Sequence, residues 1–118
     1  MGVFDWPIRV SSPDGARSVE IDAIVDTGAT YTALPTGMLE QLGVTPTRRH
    51  TFELADGRSQ VMNVGSVRVT INDATGVTPV VFGANGTDAL LGAVTLQVLA
   101  LAVDSPRETL VPAAKLRY

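Results

Sequence analysis

Short runs in which apolar residues recur at every second position dominate this chain, and a period of two restricts it to a mostly β fold. Trp6, Ile8 and Val10 are spaced in this way, as are Val19, Ile21, Ala23 and Val25. Successive side chains of a strand point to opposite faces, so each run turns one face toward a core. Between the two runs stands Ser12-Pro13-Asp14-Gly15. Proline presets φ and glycine admits positive φ, so this segment predicts a turn and the flanking strands a hairpin. A second hairpin is predicted where Phe52-Glu53-Leu54-Ala55 and Ser59-Gln60-Val61-Met62 flank Asp56-Gly57. Asp-Gly favours the type I′ turn of two-residue hairpin loops. A long alternating strand follows through Val64, Val67, Val69 and Ile71, and Pro79-Val80-Val81-Phe82 forms another. The segments 99–103 and 109–111 flank Asp104-Ser105-Pro106-Arg107 as a last hairpin.

Two segments read as short helices. Thr36 is placed to cap residues 37–42, with Gly43 as the stop. Residues 93–99 put Leu96, Val98 and Leu99 on an inward stripe. The order of apolar strand, acidic turn with glycine and short helix occurs at 19–43 and again at 79–99, which suggests an internal duplication.

A chain of 118 residues fits one domain, spanning 1–118, and can bury a core without covalent staples. It has no cysteine, which removes disulfides, thiol nucleophiles and thiolate metal sites. Nine basic residues against 12 acidic ones give a net charge of -3, so no phosphate-binding surface and no nucleic-acid partner is expected. The one basic cluster, Arg48-Arg49-His50, reads as a solvated loop. No apolar run approaches the ~18 residues of a membrane span, and the first residues lack a basic-then-apolar leader pattern. A cytoplasmic protein without membrane contact is the expectation.

Elimination narrows the chemistry. A Ser-His-Asp arrangement would have to use the one histidine, His50, and no serine sits in a Gly-x-Ser-x-Gly elbow. One histidine offers no cluster for metal hydrolysis, and phosphate-binding glycine loops are absent. No metal and no cofactor is expected. Carboxylate chemistry remains, and Asp26 differs from the other acids by its neighbours. It closes the apolar run Ala23-Ile24-Val25 and opens Thr27-Gly28-Ala29. That context puts a carboxylate at the end of a buried strand, beside a glycine that lets another backbone approach. An Asp-Thr-Gly turn is also common in β proteins that use it only as a turn.

The wider order of motifs is more specific. Asp26-Thr27-Gly28-Ala29 is followed by Thr30-Tyr31-Thr32-Ala33-Leu34-Pro35, then by the Asp56-Gly57 hairpin, then by Leu90-Leu91-Gly92 and a short helix. Over residues 5–112 the chain resembles the retropepsin-like aspartic peptidases, the single-lobe relatives of pepsin found in retroviruses and as stand-alone bacterial proteins. The resemblance implies a mostly β acid-protease barrel with one or two short helices, active as a two-fold homodimer on a polypeptide substrate. It makes Asp26 the catalytic carboxylate. Thr27 would hydrogen-bond across the dimer, Gly28 would turn its carbonyl to the substrate main chain, and Ala29 would complete the loop. Thr30 and the flap residues Ala55, Asp56 and Gly57 would contact substrate. Leu90, Leu91 and Gly92 would pack beneath the loop and fix it.

Hydrolysis without a metal or a covalent nucleophile needs a general base and a general acid together, and two adjacent carboxylates sharing one proton supply both. Only one Asp-Thr-Gly is present, so the second must come from a two-fold related copy. Ala29 cannot donate a hydrogen bond to the carboxylate as serine or threonine would, so a less acidic pH optimum is expected. Viral members carry an acidic residue and an arginine at the positions of Thr30 and Ala93, so substrate and interface contacts here must differ. Pro112 cannot donate to a ladder, so the family's sheet of interleaved termini, which would involve the segment through Lys115 to Tyr118, calls for another arrangement. Trp6, Phe52 and Phe82 are expected as core aromatics, Met38 and Met62 as gap fillers, and Leu34 and Val81 as pocket residues near the site. Tyr31 fits either the cleft or the core. The competing function is a catalytically silent peptide-binding or dimerisation module of the same fold.

Overall fold

A computed structural model describes residues 3–54 and 56–113. In chain order the elements are β1 (Phe4–Ser11), β2 (Ser18–Val25), β3 (Thr32–Pro35), α1 (Thr36–Gln41), β4 (Arg48–Glu53), β5 (Ser59–Ile71), β6 (Ala74–Gly83), β7 (Leu90–Leu91), α2 (Ala93–Val98), β8 (Leu101–Asp104) and β9 (Thr109–Pro112). Sheet order is β1-β2-β7-β3-β6-β5-β4, and β1 also pairs with β5. That last pairing closes six strands into a barrel and leaves β4 outside it.

Alternation carries through the ladders. Val10 opposes Val19 on one side and Val69 on the other, and Val67 opposes Thr78. Val10, Val67, Val69 and Thr78, with Ile8, Ala23, Val25, Leu34, Val80, Phe82 and Leu91, turn into the barrel and are buried, and Val19 packs half-buried against them. α1 adds Leu39 to the same core, α2 adds Leu96, and Leu99 just beyond α2 joins them.

The suspected duplication is visible in the topology. β2, β3 and α1 recur in order as β6, β7 and α2. The halves also cross: β3 runs parallel to β6, and β7 runs parallel to β2. Each half thus lends its second strand to the other.

All three expected hairpins form, but the second has a different tip. Leu54 N–H donates to Arg58 O at 2.7 Å and Gly57 N–H to Leu54 O at 2.9 Å. Three residues therefore span the tip, and the positive φ falls on Gly57 (87°) rather than on Asp56. This is the three-residue loop with a left-handed glycine, not the two-residue type I′ turn.

Other local expectations change for identifiable reasons. Arg48-Arg49-His50 begins β4 rather than lying in a loop, because its backbone pairs with Val64, Asn63 and Met62 of the long strand β5. Thr36 does not cap α1; its hydroxyl donates to Gly83 O at 2.7 Å, tying the helix to the end of β6. Val98 is 46% exposed, because it follows Leu96 by two residues and so lies on the opposite side of a helix. β8 and β9 form a separate two-stranded sheet. The expected terminal segment Lys115–Tyr118 lies outside the described residues.

Candidate active site

β2 delivers Asp26 to the end of its buried run. Val25 is 2% exposed and pairs with Leu91, and Asp26 N–H continues the ladder to Leu91 O at 3.1 Å. The chain then turns. Asp26 Oδ1 accepts the Gly28 N–H at 2.9 Å, and Asp26 O accepts the Ala29 N–H at 3.1 Å. Asp and Asn side chains make this bond to the backbone two residues on, and it orients the carboxylate. Asp26 stays half-buried, while Thr27, Gly28 and Thr30 are exposed.

The loop hangs from the segment that follows β7. Ala93 N–H donates to Ala29 O at 2.8 Å, and Val94 N–H to Thr30 O at 2.9 Å. The first amides of a helix have no partner within it, so the two loop carbonyls and the start of α2 satisfy one another. Gly92 makes the close approach possible: it packs against the Tyr31 peptide, and its N–H donates to Thr32 Oγ1 at 3.1 Å. Leu91 is fully buried below. Of the three residues expected beneath the loop, Leu91 meets it through the Asp26 N–H bond and Gly92 through the Tyr31 peptide.

Leu90 departs from that expectation. It pairs with Ile24 and Ala33 on the opposite face of the sheet and is half-buried. Cross-strand partners share a face, so Ile24, Leu90, Ala33, Val81 and Val64 form one apolar row outside the barrel. Strand alternation carries Asp26 to the same side as Ile24. Val81 joins this row but is buried, at 5% exposed. Leu34 does not: it is 1% exposed and turned into the core, one residue out of phase with Ala33. The sequence does not single out Ile24 and Ala33, and it places Leu90 beneath the loop rather than in this row, because one apolar residue in a run looks like another until the partner strands set the register.

The β4–β5 hairpin carries the remaining candidates. At its tip Asp56 Oδ1 accepts the Arg58 N–H at 3.0 Å and Oδ2 the Arg58 Nε–H at 2.6 Å. These two bonds, the backbone one first, hold the Asp56 carboxyl below its usual range. Ala55 lies outside the described residues. Phe52 is not a core aromatic. It stacks edge-to-face with Tyr31 at 5.8 Å and with His50 at 4.9 Å between centroids, so the ring of Tyr31 meets the hairpin arm. Of the other aromatics, Phe82 is in the core and Trp6 packs against it.

Among the described residues no helix is long and apolar enough to cross a membrane. A comparison with curated protein sequences finds no match. Among the solved structures that share the fold are two proteases. The simian foamy virus (mac) protease superposes with a TM-score of 0.54 at 18% identity, covering 77% of this chain and 91% of its own. A retropepsin-like aspartic protease from Rickettsia conorii gives a TM-score of 0.54 at 23% identity, covering 88% of this chain and 87% of its own. Residues 16–98 match the family model described as "gag-polyprotein putative aspartyl protease". With that match over most of its length and the barrel it shares with both proteases, the chain belongs to the retropepsin-like aspartic protease family.

Proposed function

We propose that residues 1–118 form one protomer of a homodimeric aspartic endopeptidase, in which the Asp26 carboxylates of two copies face each other across a two-fold axis. The observation that carries this reading is the way Asp26 is held. Its carboxylate is oriented by the Gly28 amide, and its loop is pinned through Ala29 and Thr30 to α2. A carboxylate fixed at a half-buried turn suits a group that must meet a partner in a defined geometry.

One carboxylate of the pair is ionised and the other protonated. The ionised one takes a proton from a water molecule as its oxygen bonds to the peptide carbonyl carbon. The protonated one gives its proton to the carbonyl oxygen, leaving a neutral gem-diol. Collapse of that intermediate breaks the C–N bond: the amine nitrogen receives a proton and a diol hydroxyl returns one to the dyad. An extended substrate lies across the dimer as an added strand, held by main-chain bonds from Gly28 and the hairpin tip. The hairpin closes over it as a flap and excludes water. The apolar row through Ile24, Leu90 and Ala33 favours apolar side chains beside the scissile bond.

The test is cleavage of an unstructured polypeptide between about pH 3 and 8, by wild type and Asp26→Asn, with sedimentation to establish the dimer. Asparagine can accept the same Gly28 N–H bond, so the variant is expected to fold and to lose activity. Cleavage retained by Asp26→Asn sinks the assignment of Asp26. A confirmed dimer that cleaves at no pH makes the chain a binding or dimerisation module instead.

A further inference from the structure

Three threonine hydroxyls lie in sequence inside the barrel beneath the Asp26 loop. Thr32 of β3 is 0% exposed, Thr95 of α2 is 0% and Thr78 of β6 is 1%. Thr32 Oγ1 and Thr95 Oγ1 are 2.5 Å apart, and Thr95 Oγ1 and Thr78 Oγ1 are 3.0 Å apart. At one end Gly92 N–H donates to Thr32 Oγ1 at 3.1 Å; at the other Thr78 Oγ1 donates to Pro79 O at 3.4 Å.

Counting protons sets the direction of this chain. Each hydroxyl has one proton to donate. If Thr78 donates to Pro79 O, Thr95 must donate to Thr78 and Thr32 to Thr95. That leaves Thr32 as the acceptor for Gly92. This direction spends each proton once and satisfies every bond, and hydrogen bonds aligned head to tail strengthen one another.

Burying three hydroxyls where valine would fit is costly unless all are partnered. A fully satisfied buried network in return favours a single packing of the elements it joins. The elements joined here are β3, β6 and α2, and the first two amides of α2 carry the carbonyls of Ala29 and Thr30. We propose that Thr95 is a positioning residue: as the middle of the hydroxyl chain it fixes α2 against β3 and so sets the geometry of the Asp26 carboxylate. The catalytic part of this inference rests on the peptidase reading above; the geometric part does not.

Thr95→Val keeps the volume and removes the hydroxyl, whereas Thr95→Ser keeps the hydroxyl. The Gly28 amide donates to Asp26 Oδ1, so its NMR shift reports carboxylate orientation without any need for activity. In Thr95→Val the Gly28 shift is expected to move, and the Gly92, Ala93 and Val94 amides to exchange about ten-fold faster. The turnover number, kcat, is expected to fall about a hundred-fold, as misplacement of a reacting group does, with KM within about two-fold. Thr95→Ser should restore all of these. If Thr95→Val fails to fold, Thr78→Val removes only the far hydroxyl and should move the same amides by a smaller amount.

Unchanged Gly28 and Gly92 amides in a folded Thr95→Val or Thr78→Val variant overturn the positioning role, whatever the activity. Responding amides in a protein whose wild type cleaves nothing uphold the positioning role and remove the peptidase reading.

Discussion

Gly92 and Tyr31 are in contact through their backbones: a Cβ placed on Gly92 would stand 2.5 Å from the carbonyl carbon of Tyr31 and 2.6 Å from its oxygen. Neither atom can rotate away, because both belong to a peptide between the Asp26 loop and β3. The Gly92 N–H would also lose its alignment with Thr32 Oγ1. Gly92→Ala is therefore expected to destabilise the fold by about 1–3 kcal/mol, the usual cost of overpacking, and to abolish cleavage even where the protein stays folded. Chemical denaturation paired with a cleavage assay measures both effects. A variant of wild-type stability and activity would mean that the loop tolerates displacement.

Leu90 and Leu91 are neighbours in sequence with opposite duties. Leu91 is fully buried in the barrel, whereas Leu90 is half-buried in the outer row with Ile24 and Ala33. Leu91→Ala should cost about 2–5 kcal/mol of stability. Leu90→Ala should cost much less and alter mainly the choice of side chain beside the scissile bond. Melting curves and cleavage of a peptide set varied at that position separate the two. An equal loss of stability in both variants would contradict the assigned faces.

The first hairpin should give the fold an acid-sensitive point. Asp14 Oδ1 accepts the Ser12 hydroxyl at 2.6 Å and the Ala16 N–H at 2.9 Å. These bonds, the Ser12 hydroxyl first, hold the Asp14 carboxyl below its ordinary value. A carboxyl depressed in the folded state stabilises above its unfolded pKa, and that contribution is lost as pH falls through the folded value. Wild type should therefore melt above Asp14→Asn near neutrality, and the gap should close as the solution is acidified below about pH 4. Asp14 is exposed, so the gap is small and shrinks with salt. Thermal melts across pH at low ionic strength test this, and a gap that stays constant with pH would rule out the carboxylate as its source.

Much of this molecule was legible before any coordinates. Alternation marked the strands because a barrel wall has one dry face, and Gly15 and Gly57 marked hairpins because their turns need positive φ (76° and 87°). Asp26 was legible because an acid at the end of an apolar run, followed by small residues, departs from simple alternation. Faces at the ends of elements were harder to assign. Leu34, Val98 and Leu90 are all apolar, and composition cannot say which lies inward; that depends on which strand or helix lies alongside.

The tertiary structure alone decided the support of the site. Thr32, Thr78 and Thr95 are far apart in the chain and belong to three different elements, and nothing in any one segment distinguishes a buried hydroxyl from a solvated one. Phe52 met Tyr31 rather than the core because β4 lies outside the closed ring of strands. Periodicity and turn chemistry are local and can be read along a chain. Register, closure and the satisfaction of buried polar groups depend on partners distant in sequence, and they exist only once the chain has folded.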